Sequence, residues 1–126
     1  MVGDVFTESD LFNITKGPND ITGVTTVNSL STFAIKKFAN VITDNSFIKF
    51  DVYTQDYLNL TLSILANDKT YSYALQLTGG EVWQNVNIDF CEFKDENGFT
   101  INDYSGITLL TFKSIGKYTL NNVIVL

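Results

Sequence analysis

From residue 46 onward the chain runs largely in a period of two. Across residues 46–54 (SFIKFDVYT), Ile48, Phe50 and Val52 share one parity, and Lys49, Asp51 and Tyr53 share the other. In 57–65 (YLNLTLSIL), Leu58, Leu60, Leu62 and Ile64 alternate with Asn59, Thr61 and Ser63. In 70–77 (TYSYALQL), Tyr71, Tyr73, Leu75 and Leu77 alternate with Ser72, Ala74 and Gln76. Successive side chains of a strand point to opposite faces, so each segment predicts a strand with one buried face and one wet face. Further strands are predicted at 82–88, 107–112 and 118–126. Helical spacing is scarce. Its best stretch, 30–39 (LSTFAIKKFA), is short and rich in strand formers and reads mostly as strand.

The breaks fall where strand connections need them. TQD at 54–56 and ANDK at 66–69 are polar turns, and TGG at 78–80 supplies glycines able to take positive φ. KDENG at 94–98 and DYSG at 103–106 are further polar loops, and GPND at 17–20 marks one near the N-terminus. Short strands at this spacing, with no internal repeat or linker, predict one all-β sandwich domain over 1–126. If the strands at 46–54 and 57–65 form an antiparallel hairpin, Lys49, Asp51 and Tyr53 lie beside Asn59, Thr61 and Ser63. Gln76, Ala74 and Ser72 then extend the same wet face. A tyrosine ring among amides and carboxylates offers what sugar recognition needs: a flat apolar surface for C–H groups, and donors and acceptors for hydroxyls. An ordinary solvated sheet face would show the same alternation.

Composition narrows the chemistry. The chain is 44% hydrophobic with one Pro, which is a folding composition. Its 126 residues suffice for one core. A net charge of −6 and a pI near 4.3 argue against nucleic acid and anionic lipid as partners and favour a neutral ligand. There is no His, which removes the commonest general base and zinc ligand and every imidazole-based triad. Acidic residues such as Asp51, Asp89, Glu92, Asp95 and Glu96 occur at the density composition predicts, and none is isolated in an apolar pocket, so no catalysis is expected. The single Cys91 excludes an internal disulfide and, in its apolar run, reads as a buried inert thiol. No segment is long and apolar enough for a membrane helix, and MVGDVFTESD lacks the pattern of a signal peptide. That start suits an excised domain as well as a natural terminus.

The C-terminal half carries a longer pattern. VWQNVNIDFCEFKDENGFTINDYSGITLLTF followed by GKYTLNNVIVL resembles the end of galactose-binding-like jelly-roll carbohydrate-binding modules, above all the family eleven modules of microbial glucanases. The matching positions are Trp83, Ile88, Phe90, Phe93, Ile107, Phe112 and Asn121-Asn122-Val123. The likeness is strong over 71–126 and weak over 1–46. It implies a jelly-roll β-sandwich that binds polysaccharide on a concave sheet face, without catalysis, as a module attached to a secreted glycoside hydrolase. It implies a packing role for Trp83, which occupies the family's scaffold position, so that tyrosines would form any aromatic platform. Tyr71 and Tyr73 share a face with Leu75 and Leu77 and are expected in the core, whereas Tyr57 and Tyr104 lie near turns and are expected partly exposed. The resemblance also implies a structural calcium between N-terminal acidic residues and the final strand, for which Asp4, Glu8 and Asn121 are the candidates. Asn121 stands where the family has Asp, which weakens the attraction for a hard dication.

These readings converge on a secreted or cell-surface, non-catalytic module, monomeric in isolation, that binds a β-glucan or related plant polysaccharide. Its candidate binding residues are Lys49, Asp51, Tyr53, Asn59, Gln76 and Tyr104. The competing expectation is a structural or protein-interaction β-sandwich within a larger extracellular protein, since a jelly roll hosts many functions.

Overall fold

A computed structural model describes residues 14–16, 25–27, 32–35 and 41–125. Among the described residues, nine strands follow in chain order: β1 Ile14–Lys16, β2 Thr25–Val27, β3 Thr32–Ile35, β4 Phe47–Thr54, β5 Leu58–Ala66, β6 Lys69–Leu77, β7 Val82–Asp89, β8 Ile107–Lys113 and β9 Tyr118–Val125. They form two antiparallel sheets, a five-stranded one ordered β1-β2-β9-β4-β7 and a four-stranded one ordered β3-β8-β5-β6. The all-β sandwich expected from the alternation is the fold found. Within the segment 30–39, strand is present at Thr32–Ile35, while positions 30, 31 and 36–39 lie outside the described residues.

The inward parity of strands β2 to β9 builds one core. Ile48, Phe50 and Val52 of β4 and Leu120 of β9 meet Leu60, Leu62 and Ile64 of β5 and Leu110 and Phe112 of β8, and all are essentially solvent-free. Phe112 ties the layers together. Its ring sits edge-on to Phe50 of the opposite sheet at 5.0 Å between centroids and to Phe33 of β3 at 5.3 Å. Such edge-to-face pairs contribute about 0.5–1.5 kcal/mol each beyond the area they bury. Tyr71 and Leu77 are buried as expected, and Tyr73 and Leu75 are half-buried against the same core.

The connections follow from local chemistry. β5 and β6 are joined by Asn67 and Asp68, with φ of 51° and 63° and Ala66 paired to Lys69. Two consecutive left-handed residues make the tight turn whose twist matches the strands, and Asn and Asp tolerate that region best after Gly. After β6, residues 78–81 cross back to the five-stranded sheet. The loop after β7 is organised by Asp95, whose Oδ1 accepts the backbone N–H groups of Asn97 and Phe99, each at 2.9 Å, while Oδ2 pairs with Lys69 Nζ at 2.7 Å. The Lys69 ammonium, then the Phe99 amide, hold this carboxyl below its ordinary range, against the opposing effect of burial.

One connection overturns the sequence expectation. β4 and β5 are not a hairpin within one sheet. Residues 55–57 cross from the five-stranded to the four-stranded sheet, so the two apolar rows face each other across the core and the two polar rows face away on opposite sides. Lys49, Asp51 and Tyr53 therefore do not lie beside Asn59, Thr61, Ser63 and Gln76.

Candidate functional site

Strand register assembles the outer face of the five-stranded sheet in rows. Tyr53 of β4 stands between Trp83 of β7 and Thr119 of β9, Asp51 between Asn85 and Asn121, and Lys49 between Asn87 and Ile124. Thr119 continues the first row to Thr26 of β2, with the two hydroxyls 3.2 Å apart. The register between β4 and β9 shifts between Lys49 and Asp51, and there Asn122 takes a φ of 54°. A bulge re-aims the side chains around it. Here Asn122 Nδ2 donates to Asp51 Oδ2 at 3.2 Å, and Asn85 Nδ2 donates to Asp51 Oδ1 at 2.7 Å from the other side. The carboxylate is thus held by an amide on each flanking strand while remaining open to solvent.

The aromatic part of the face is a pair. The Tyr53 and Trp83 rings lie 5.6 Å apart between centroids at an interplanar angle of 51°. Trp83 is 48% exposed. This corrects the packing role implied by the family resemblance. Val86 and Ile88 of the same strand point into the core, and Trp83 has the parity of Asn85 and Asn87, which point out. The period-two pattern of 82–88 places Trp83 outward, against the scaffold position that the resemblance implies. The core positions of that pattern, Phe90, Phe93 and Phe112, are buried as the likeness implies.

The remaining sequence candidates are dispersed. Asn59 and Gln76 face each other across β5 and β6 on the outer side of the four-stranded sheet. A depression of about 470 Å³ there is lined by Asn59, Thr61, Ser63, Thr111 and Lys113 with Ser114 and Ile115, and it holds no aromatic ring. Tyr104 belongs to neither face. It sits half-buried in the 3-10 turn Tyr104–Gly106, packed against the core, and burial raises its phenol pKa. Cys91 is exposed, contrary to expectation, because the 3-10 turn Phe90–Glu92 sends Phe90 and then Phe93 inward and leaves the residue after Phe90 outside.

For calcium, Asp4 and Glu8 lie outside the described residues. Asn121 is half-buried on the outer face opposite Asp51, whose carboxylate the two flanking amides already engage. Among the described residues no cluster of three or more acidic, His or Cys side chains could hold a metal. Calcium takes 6–8 oxygens, so the described residues alone do not make a calcium cage. Among the described residues no helix is long and apolar enough to cross a membrane.

No protein-family model matches the sequence, and no curated protein matches it. Solved structures do. A family 11 carbohydrate-binding module from Clostridium thermocellum, in complex with a β-1,3-1,4-mixed-linked tetrasaccharide, superposes over 98% of this chain and 95% of its own, with TM-score 0.54 and 14% identity. A family 4 module matches 98% of this chain and 92% of its own, with TM-score 0.56 and 11% identity. The fold is that of a carbohydrate-binding-module β-sandwich. Part of an agarase has a similar fold: the match covers 97% of this chain and 24% of the agarase, with TM-score 0.63 and 14% identity. On the carbohydrate-binding-module framework, the Tyr53–Trp83 pair is carried on strands β4 and β7 of the five-stranded sheet.

Proposed function

We propose that this domain is a non-catalytic carbohydrate-binding module whose ligand lies across the outer face of the five-stranded sheet. The observation that carries the reading is the pairing of exposed Trp83 with half-buried Tyr53 beside an Asp51 carboxylate fixed between two asparagine amides. A pyranose has an apolar C–H face and a rim of hydroxyls. Aromatic rings take the first, while Asp51, Asn85, Asn87 and Asn121 supply acceptors and donors for the second. The acidic balance of the chain suits a neutral glycan, and a β-glucan or related plant polysaccharide is the first choice. The domain would be a monomeric module of a larger extracellular polypeptide and would bring an attached glycoside hydrolase to its substrate. The β-1,3-1,4-mixed-linked tetrasaccharide in complex with the family 11 neighbour, and the agarase that contains a similar sandwich, support both steps.

Trp83 is the only tryptophan, so its fluorescence reports the platform directly. Affinity electrophoresis through soluble glucans, mannans and galactans should show retardation on at least one. Oligosaccharides of that glycan should then change Trp83 emission. Tyr53→Ala should weaken retention more than an exposed substitution such as Thr61→Ala on the other sheet. A folded protein retarded by none of these polysaccharides would rule the reading out.

A second reading has an observation of its own. Among the described residues β7 is an edge strand, with Val82 and Trp83 exposed at one end, an arrangement that also suits a protein partner. Under that reading Trp83 emission responds to a protein ligand and to no glycan. Calcium is a separable proposal that rests on Asp4, Glu8 and Asn121, and a melting temperature unchanged between excess calcium and chelator would dispose of it.

A further inference from the structure

A cleft of about 550 Å³ opens at the end of the sandwich next to the platform. It lies within the size range of small-ligand sites, about 300–1,000 Å³. Tyr53, Thr119 and Thr26 form its side toward the sheet face, and Tyr57 and Ile115 belong to its rim. Tyr57 is 58% exposed and Ile115 is 79% exposed, so the rim offers apolar surface, while Gln55, Asp56 and Lys117 add polar groups.

Two features distinguish the cleft from an incidental gap. Its walls are braced. The crossing that carries Tyr57 is hydrogen-bonded to the glycine turn, with Gly80 N–H donating to Gln55 O at 3.0 Å and Glu81 N–H to Thr54 O at 3.2 Å. The Tyr57 hydroxyl donates to Asn59 Oδ1 at 3.3 Å, which fixes the orientation of its ring. On the other side, Ser114 Oγ donates to Asn59 O at 2.7 Å and accepts from Gly116 N–H at 3.3 Å. Gly116 packs so closely on Leu58 that a Cβ there would run into Leu58 Cδ1. Bracing of this kind lowers the ordering cost of binding.

The second feature is unused polar capacity. The hydroxyls of Thr54 and Tyr118, both on residues that line the cleft, are buried without a hydrogen-bond partner. Buried polar groups are nearly always partnered. Both oxygens are closed to solvent, so they mark unmet polar capacity beneath the cleft surface rather than groups a ligand meets directly.

We infer that this cleft is a second sugar subsite, holding one neutral pyranose unit of a chain whose next units lie over Tyr53 and Trp83. The inference rests on the carbohydrate-binding reading above, and separate reporters keep the two distinguishable. The probe is the mixed-linked β-1,3-1,4-glucan tetrasaccharide, titrated into ¹⁵N-labelled protein. The Trp83 indole N–H reports the face, and the backbone N–H groups of Tyr57, Gly116 and Lys117 report the cleft. Shifts at both support the subsite, and Tyr57→Ala should then weaken tetrasaccharide binding about tenfold, the equivalent of about 1.4 kcal/mol, and leave disaccharide binding within about twofold. Ile115→Asp, on a solvent-facing turn, should act in the same direction without affecting the fold. Shifts at the indole alone, or equal losses for both sugar lengths, overturn the subsite and leave the face standing. Shifts at the cleft amides alone keep the subsite and remove the face. Silence at both reporters overturns both.

Discussion

Replacing Trp83 with Ala separates a frame residue from a platform residue. A large aromatic covers about 150–250 Å² when fully buried. Trp83 is 48% exposed, so about half of that, roughly 100 Å², is covered. At about 25 cal/mol per Å² this is worth about 2.5 kcal/mol as an upper bound, and a compact denatured state lowers it to about 2 kcal/mol. A true core aromatic behaves differently. Phe112 is solvent-free and touches the rings of Phe33 and Phe50, and Phe112→Ala should cost about 3–5 kcal/mol. The two variants form an internal pair in one protein. Urea unfolding followed by far-UV circular dichroism, which does not depend on the missing indole, gives both stabilities on one scale.

The expected result is that Trp83→Ala loses about half as much stability as Phe112→Ala or less, and loses glycan retention while still folded. The refuting result is equally definite. If Trp83→Ala costs as much as Phe112→Ala, the indole is part of the frame, and the case for a Tyr53–Trp83 platform fails with it.

Gly79→Ala should destabilise the domain by more than about 1 kcal/mol, because φ is +77° and a Cβ would sit 2.5 Å from the Asp56 carbonyl carbon; a urea midpoint within error of the parent would contradict the packing described. The Lys69–Asp95 pair should give an acid-sensitive loop. The Asp95 carboxyl is depressed by Lys69 first and the Phe99 amide second, so its contribution is full above the ordinary carboxylate pKa of about 3.9 and is lost as pH falls through the lower folded value. Lys69 is raised by the same hydrogen bond, so its contribution is full below about 10.4 and is lost as pH rises through the higher folded value. Between these limits the melting-temperature difference between the parent and Asp95→Asn should be constant, and it should shrink from pH 4 toward pH 2. A difference equal at pH 6 and pH 2 would show that the pair contributes nothing through its charge. Asp103 is also depressed, by Ser105 and then Asn67, so Asp103→Asn is the control that removes a second acid-labile carboxylate among the described residues.

The strands were legible because alternation is a backbone property and survives any tertiary arrangement. Ile48, Phe50 and Val52, or Leu60, Leu62 and Ile64, announce an inward face regardless of which sheet they join. The turns were legible for a similar reason, since Asn67-Asp68 and Gly79-Gly80 occupy backbone conformations that few residue types accept. Sheet membership was not legible. A crossing between layers at 55–57 and a hairpin within one sheet both need only a short polar connection. Nothing local to Thr54-Gln55-Asp56 distinguishes them. The difference depends on contacts with β7 and β9, whose partners in register lie far away in the chain. β1 and β2 were not legible, because strands of three residues carry too little alternation to register.

The outward position of Trp83 departs from the resemblance for a different reason, and it bears on where a binding surface lies in this fold. Positions that specify a jelly roll and positions that recognise a ligand are drawn from the same strands, one residue apart. Along β7, Val86 and Ile88 belong to the core, while Trp83, Asn85 and Asn87 belong to the surface. A resemblance pattern records only spacing, so it assigns an aromatic to the frame whenever the frame tolerates one there. Parity is the stricter test, because a one-residue change moves a side chain through the whole thickness of the sheet. Applied to β4, the same test puts Asp51 and Tyr53 outside with Trp83, and the register confirms that they are neighbours. A ligand face in such a sandwich is therefore best located by taking the outward parity of each strand first and adding the strand pairing second, with family spacing reserved for the inward positions it was built from.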